Sequence, residues 1–308
     1  MTTVGLTLPQ LGPVVSAALV RDFAQQADQM GFDHLWVQDH FLYALRQAGD
    51  YGGSATEQPE VYRTVWSATE LLAAVATWAE RMTLGTSILV AGNHWPAQLA
   101  NQLATVDGLS GGRLDVVGLS VGWSVEEHRA VGVDPRTRGR RIDDFVPALR
   151  ACWGPDPVEY HGDFFDIGPA VMQPKPARTP KLMSGMYSEP GLARTARDYD
   201  LWNPGSMPIA MVVDKLGELN ERRPSDKQPL GAIYRLAQQS TSGKRLSVDE
   251  MATRVQECAA AGLDGVIVET NFCSEIGSSA DWLTVLADLA PVVEAARHTD
   301  PSDEATTR

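Results

Sequence analysis

The chain has 308 residues, 44% hydrophobic and 21% charged, an ordinary globular composition with enough length to bury a sizeable core. A net charge of -13 repels phosphate backbones and anionic lipid, so nucleic acid and membranes are poor partners. No apolar run approaches the roughly 20 residues of a spanning helix, residues 1–13 lack a signal-peptide pattern, and the unpaired Cys152, Cys258 and Cys273 suggest neither disulfides nor a zinc site and fit a reducing cytoplasm.

Strand-like apolar runs alternate with helical patterns eight times. The first strand is predicted at 4–8. A helix follows at about 17–30, with Val20, Phe23, Ala27 and Met30 on one face and Gly31 as its stop. The second strand is 34–38. Ser67-Ala68-Thr69-Glu70 reads as a capping box opening a helix that runs to about Glu80. The third strand is 82–88, and its helix starts at Pro96 and stops at Ser110-Gly111-Gly112. The fourth strand is 114–119. Ser124-Val125-Glu126-Glu127 is a second capping box, opening a short helix before a longer one at about 139–153.

A Pro/Gly-rich stretch, 154–180, carries a hairpin pattern around 158–167. Its Tyr160, Phe164 and Phe165 predict an insertion packed on the domain rather than a linker. The fifth strand is 181–183, with a helix at 190–198. The sixth is 200–202, with a helix at about 209–222. The seventh is 232–236, followed by a helix capped by Ser247-Val248-Asp249-Glu250 and ending at Gly262. The eighth is 266–269, with one last helix at about 280–297. The polar tail 298–308 reads as disordered. Eight β-then-α units in one domain, 1–297, predict an α/β fold of the (β/α)8 TIM-barrel type, with chemistry on the loops after the strands.

Those loops hold the candidates. After the second strand, Asp39 and His40 place an acid beside an imidazole that titrates near neutrality. A loop cap and an imidazole satisfying a carbonyl would give the same residues. After the third strand, Ser87 would let a flat ring approach the backbone, and Trp95 could wall a pocket; His94 reads as part of an aromatic-plugged loop. After the fourth, Gly118, Ser120 and Gly122 leave room for a planar ligand ahead of Trp123, without the third glycine of a dinucleotide fingerprint. After the fifth, Gly185 and Ser188 precede a helix N-terminus, which attracts phosphate, although a plain serine cap looks the same. On the seventh strand Tyr234 and Arg235 must face opposite sides, and a buried Arg235 would need an anionic partner. Glu269 on the eighth strand is equally ambiguous. Trp202 is a third apolar wall for a substrate.

Together these segments resemble the luciferase-like monooxygenase superfamily, the barrel flavoproteins related to bacterial luciferase. Within it they are most similar to the class using coenzyme F420, a 5-deazaflavin. The resemblance is carried by 31–41, 84–88, the Ala104-Thr105-Val106-Asp107-Gly108-Leu109-Ser110-Gly111-Gly112-Arg113 run, 118–123 with Glu126, 138–141 and 173–176. It implies a bacterial luciferase-like barrel with the insertion between the fourth and fifth strands. It sets Asp39 and His40 beside the deazaflavin ring with His40 as acid/base, makes Ser87-Ile88 a non-proline cis peptide backing that ring, and gives Gly185 and Ser188 to the cofactor phosphate. Trp123 departs from the sugar-phosphate dehydrogenase branch, which has an acidic residue there.

The expected activity is an F420-dependent hydride exchange with a small organic substrate, with Trp95, Trp123 and Trp202 as the substrate wall. The alternatives are an FMNH2-dependent two-component monooxygenase, against which the short stretch 238–245 counts, and a non-catalytic flavin-binding protein. Homodimerisation follows from the resemblance only, and no metal is expected.

Overall fold

The structure, a computed structural model, describes residues 2–49, 51, 57–240 and 243–297. The predicted tail at 298–308 lies outside them, as does part of the loop after the second strand. In chain order the elements are β1 (Thr3–Thr7), α1 (Ala17–Met30), β2 (His34–Val37), α2 (Ala68–Val75), β3 (Thr83–Val90), α3 (Pro96–Ser110), β4 (Leu114–Ser120), α4 (Val125–Ala130) and α5 (Arg138–Trp153). Then follow β5 (Val158–His161), β6 (Asp166–Ala170), β7 (Lys181–Ser184), α6 (Glu189–Asp198), β8 (Leu201–Trp202), α7 (Ile209–Glu221), β9 (Gly231–Ala237), α8 (Val248–Ala260), β10 (Gly265–Glu269), α9 (Ser279–Asp288) and α10 (Ala290–Arg297).

Eight strands close into a parallel barrel in the order β1-β10-β9-β8-β7-β4-β3-β2, and β5 and β6 form a separate antiparallel hairpin between β4 and β7. The expected (β/α)8 barrel and its insertion are therefore present. Asp144 of α5 ties the hairpin down: its carboxylate accepts from the Tyr160 hydroxyl and from the Phe164 and Phe165 amides, the latter two at 2.6 and 3.1 Å. Among the described residues no helix is long and apolar enough to cross a membrane.

Side chains alternate across the strands. One set packs against the helices. The inward set forms a layer of Trp36, Val116, Met183, Leu201, Ile233 and Ile267. Trp36 fits because its neighbours are glycines: a Cβ on Gly85 would lie 2.4 Å from the indole Cζ3, and one on Gly5 2.4 Å from Nε1. Above this apolar layer, toward the strands' C-terminal ends, the interior turns polar.

Three details differ from expectation. The last helix is two, α9 and α10, because Pro291 lacks an N–H and cannot continue a helix from the preceding turn. α2 stops at Val75 rather than near Glu80. There the Arg113 guanidinium takes the carbonyls of Ala76, Ala79 and Met82 at 2.9, 2.7 and 2.6 Å, satisfying acceptors that a longer helix would use itself. Ser67 does not cap α2; its hydroxyl donates to the Glu70 carboxylate.

Candidate active site

β2 delivers Asp39 and His40 to the barrel rim, and the structure sends their side chains to different partners. Asp39 Oδ2 accepts from the Val90 amide at 2.9 Å and from His94 Nε2 at 2.8 Å. The Asp39 amide donates to the Ile88 carbonyl at 3.1 Å. Burial alone would raise this carboxyl, but His94, the Val90 amide and nearby His40 hold it below the usual carboxylate range. Asp39 thus clasps the loop after β3. His94, read from sequence as part of an aromatic-plugged loop, is its partner.

His40 turns the other way. Its Nδ1 lies 3.0 Å from Glu127 Oε2, and its ring meets Tyr62 edge-on at 4.8 Å and Trp123 at 5.2 Å. Glu127 is 1% exposed, and its other oxygen accepts the Phe41 and Leu42 amides at 2.8 and 3.3 Å. The Ser124 hydroxyl caps the Glu127 amide at 3.2 Å, as the capping-box pattern predicts. The reciprocal half does not form, because the Glu127 carboxylate is spent on His40 and the β2 loop. The sequence signal for Glu127 was present but pointed to local structure.

Rings continue from His40: Tyr62 stands 5.7 Å from Phe272, and Trp123 5.0 Å from Tyr51. Burial, then Tyr51, pushes the Tyr62 phenol well above its ordinary range and keeps it neutral. This aromatic group covers one side of the mouth. Phe272 and Val61 line a cavity of about 760 Å3 beyond it, between the loops after β1, β2, β9 and β10.

The floor of the mouth is a polar network. Arg235 faces inward and pairs with Glu269, while Tyr234 faces the helices and donates its hydroxyl to the Met207 carbonyl at 2.9 Å. Arg235 also donates to the Ser87 carbonyl and to Gln38 Oε1, both at 3.1 Å. Glu269 accepts from the Thr7 hydroxyl at 3.0 Å and from the amide and side chain of Asn271 at 2.7 and 2.9 Å. The Ser87 hydroxyl donates to Asn203 Oδ1 at 2.9 Å. Glu269 supplies an anionic partner of the kind a buried Arg235 requires, and Arg235 keeps 24% of its side chain exposed at the mouth.

The Ser87-Ile88 peptide is cis, at a bulge where the β3–β4 register slips. Ile88 leans on two of the predicted glycines: a Cβ on Gly118 would meet its Cγ2 at 2.9 Å and the Thr86 carbonyl at 2.2 Å, and one on Gly185 its Cγ2 at 3.0 Å. A Cβ on Gly122 (φ +76) would lie 2.5 Å from Val90 Cγ1. These glycines make room for β3 side chains, not directly for a ring, which corrects the reading of open floor space. The Ser120 hydroxyl donates to the Gly185 carbonyl at 3.1 Å, fastening β4 to the loop after β7.

Ser188 is exposed and caps α6, accepting from the Gly191 amide at 3.4 Å. It borders a cavity of about 460 Å3 with Gly191, Arg136, Arg138 and Arg194. Arg136 is paired with Asp134 and Arg194 with Asp143, each at 2.8 Å. No ion pair engages Arg138 among the described residues.

Of the three predicted wall tryptophans, only Trp123 joins the His40 cluster. Trp95 is 58% exposed and stands against the insertion, edge-on to Phe165 at 5.6 Å and 5.2 Å from the Arg141 guanidinium. Trp202 is 1% exposed because its strand neighbour Leu201 takes the interior position, which turns Trp202 into the helix layer; its Nε1 donates to the Met186 carbonyl at 3.2 Å.

Solved structures share this architecture. A monooxygenase from Streptomyces bottropensis matches with a TM-score of 0.71 at 19% identity, covering 96% of this chain and 99% of that one. An F420-dependent secondary alcohol dehydrogenase, solved with an F420-acetone adduct, matches with a TM-score of 0.72 at 16% identity over the same shares. At such identities the likeness is one of fold. By sequence, an FMNH2-dependent dimethylsulfone monooxygenase of Pseudomonas putida is 32% identical over 183 residues, 58% of this chain and 44% of that protein. The chain spans less than two thirds of the length of the curated relatives first matched. The Luciferase-like monooxygenase family profile matches residues 3–239, most of the barrel with His40, Tyr62, Trp123 and Glu127 included, and the chain belongs to that family.

Proposed function

We propose that this protein is an F420-dependent oxidoreductase in which His40 handles the proton that accompanies hydride exchange with a small organic substrate. The observation that carries the reading is the His40–Glu127 pair at the barrel mouth, 3.0 Å apart and flanked by Tyr62 and Trp123. A histidine held at a strand's C-terminal end with one ring nitrogen anchored is built to move a proton at the other. Asp39, bound to His94 and Val90, serves as the clasp that keeps the rim in place.

The residues present fit a flavin-type cofactor. Ile88, half-buried and backed by Gly118 and Gly185, offers an apolar rest for a ring, next to the exposed part of Arg235. Ser188, the amides opening α6 and Arg138 would hold a phosphate. When bound, the deazaflavin supplies the hydride chemistry; the protein binds, orients and excludes water. The substrate would lie against Trp123 and Tyr62, not against Trp95 or Trp202.

The second reading, reduced FMN with oxygen, is favoured by the similarity to the dimethylsulfone monooxygenase. Titrating the protein with F420 and, separately, FMN while following tryptophan fluorescence decides between them. Saturable quenching by F420 supports the first reading, quenching by FMN alone the second, and none by either removes both. In the first case His40→Ala keeps the F420 affinity and lowers turnover by about 10^2- to 10^4-fold, the usual contribution of acid–base catalysis. Homodimer assembly and a cytoplasmic location carry over from the sequence as proposals; three buried, unpaired cysteines support the latter.

A further inference from the structure

We infer that Glu127 is a positioning residue that fixes the tautomer of His40, with the proton on Nδ1 and the lone pair of Nε2 facing the mouth, so that the resting site presents an acceptor to a substrate O–H or N–H. This rests on reading His40 as the proton-handling group, and it concerns a residue that the capping pattern of the sequence had assigned to helix α4 alone.

The tautomer follows from counting donors. An ionised carboxylate only accepts hydrogen bonds. Glu127 is 1% exposed and already faces two backbone donors, the Phe41 amide at 2.8 Å and the Leu42 amide at 3.3 Å, with Oε1. Oε2, 3.0 Å from His40 Nδ1, therefore requires the Nδ1 proton. In the neutral ring the lone pair then falls on Nε2. Nε2 has no hydrogen-bond partner among the described residues, and it is not one of their enclosed, orphaned atoms. Tyr62 and Trp123 flank the ring at 4.8 and 5.2 Å. A half-turn of the ring would set a carbon against the carboxylate. His94 is different, because its Nε2 is committed to Asp39 at 2.8 Å.

Glu127→Gln makes the inference testable. The Gln carbonyl must face the two backbone amides, since the opposite orientation would set N–H against N–H. The side-chain amide then donates to His40 Nδ1 and moves the ring proton to Nε2.

The experiment labels the six histidine rings with nitrogen-15 in the whole protein and records long-range proton–nitrogen correlations at about pH 8, above the usual histidine range. His40→Asn assigns the His40 signals by their loss. The expected wild-type pattern is a protonated Nδ1 and a bare Nε2, and Glu127→Gln should reverse it. A wild-type His40 protonated on Nε2 overturns the inference. So does an unchanged pattern in a Glu127→Gln protein whose backbone amide spectrum is native, because a purely structural Glu127 would leave the tautomer as it was. If Glu127→Gln does not fold, the wild-type pattern alone decides. The measurement uses no cofactor, so failure to bind F420 would sink the function proposed above without touching this result.

Discussion

Asp39 and His40 are adjacent in the chain, yet their side chains do opposite work. Asp39 is buried in hydrogen bonds to His94 and Val90, and its carboxyl is lower in the folded protein than in the unfolded chain. Its stabilisation is therefore fully present above the unfolded value of about 3.9 and is lost as pH falls through the folded one. Denaturant melts from neutral pH down into that window should show this loss in the wild type and less of it in Asp39→Asn; parallel curves would refute it. Arg235 makes a sharper case. Removing it leaves Glu269 buried with hydrogen bonds but no counter-charge. Arg235→Ala should therefore lose about 3 kcal/mol in a chemical melt, the lower end for breaking a buried pair.

At the scale of elements, three serine-led patterns looked alike in sequence and behave differently. Ser247 and Glu250 form the full reciprocal box on α8, with bonds of 3.2 and 2.7 Å. Ser124 forms half a box, because Glu127 is drawn off to His40. Ser67 forms none. Ser247→Ala should cost about 1 kcal/mol and Ser67→Ala clearly less, measured by the same thermal or denaturant midpoint. Equal costs would mean that the reciprocal box at Ser247 contributes nothing beyond the single Ser67–Glu70 side-chain contact. The Ser-Gly-Gly-Arg run, which carried much of the family resemblance, is likewise structural. Gly111 ends α3 in the left-handed region at φ +72, and Arg113 knots the end of α2 to β3.

At the scale of the whole molecule, the barrel is filled by an apolar layer below and a charged, hydrogen-bonded layer above. The lower layer depends on Trp36 lying over glycines. Gly85→Ala places a methyl 2.4 Å from the indole and should destabilise the protein by about 1–3 kcal/mol, the usual cost of overpacking a core. A melt unchanged by this substitution would show that Trp36 has somewhere else to go. The upper layer positions the candidate site: Arg235 of β9 pairs with Glu269 of the neighbouring β10 and reaches across to the Ser87 carbonyl of β3, 148 residues away in the chain.

The sequence by itself determined the period-two and period-3.6 alternation, hence the eight β/α units, the insertion and the rim loops where chemistry belongs. These are local properties, set by which residues can bury a face and which can end a helix. It also singled out Asp39, His40 and Ser87-Ile88, through motif rather than geometry. Only the tertiary structure decided which side chains meet. Pairing of β2 with β3 and of β3 with β4 brings His94 to Asp39 and Glu127 to His40, pairing of β9 with β10 sets Glu269 beside Arg235, and strand parity turns Trp202 away from the mouth. Such pairings depend on the register between neighbouring strands and on where the loops after them fold, and no short-range pattern encodes them.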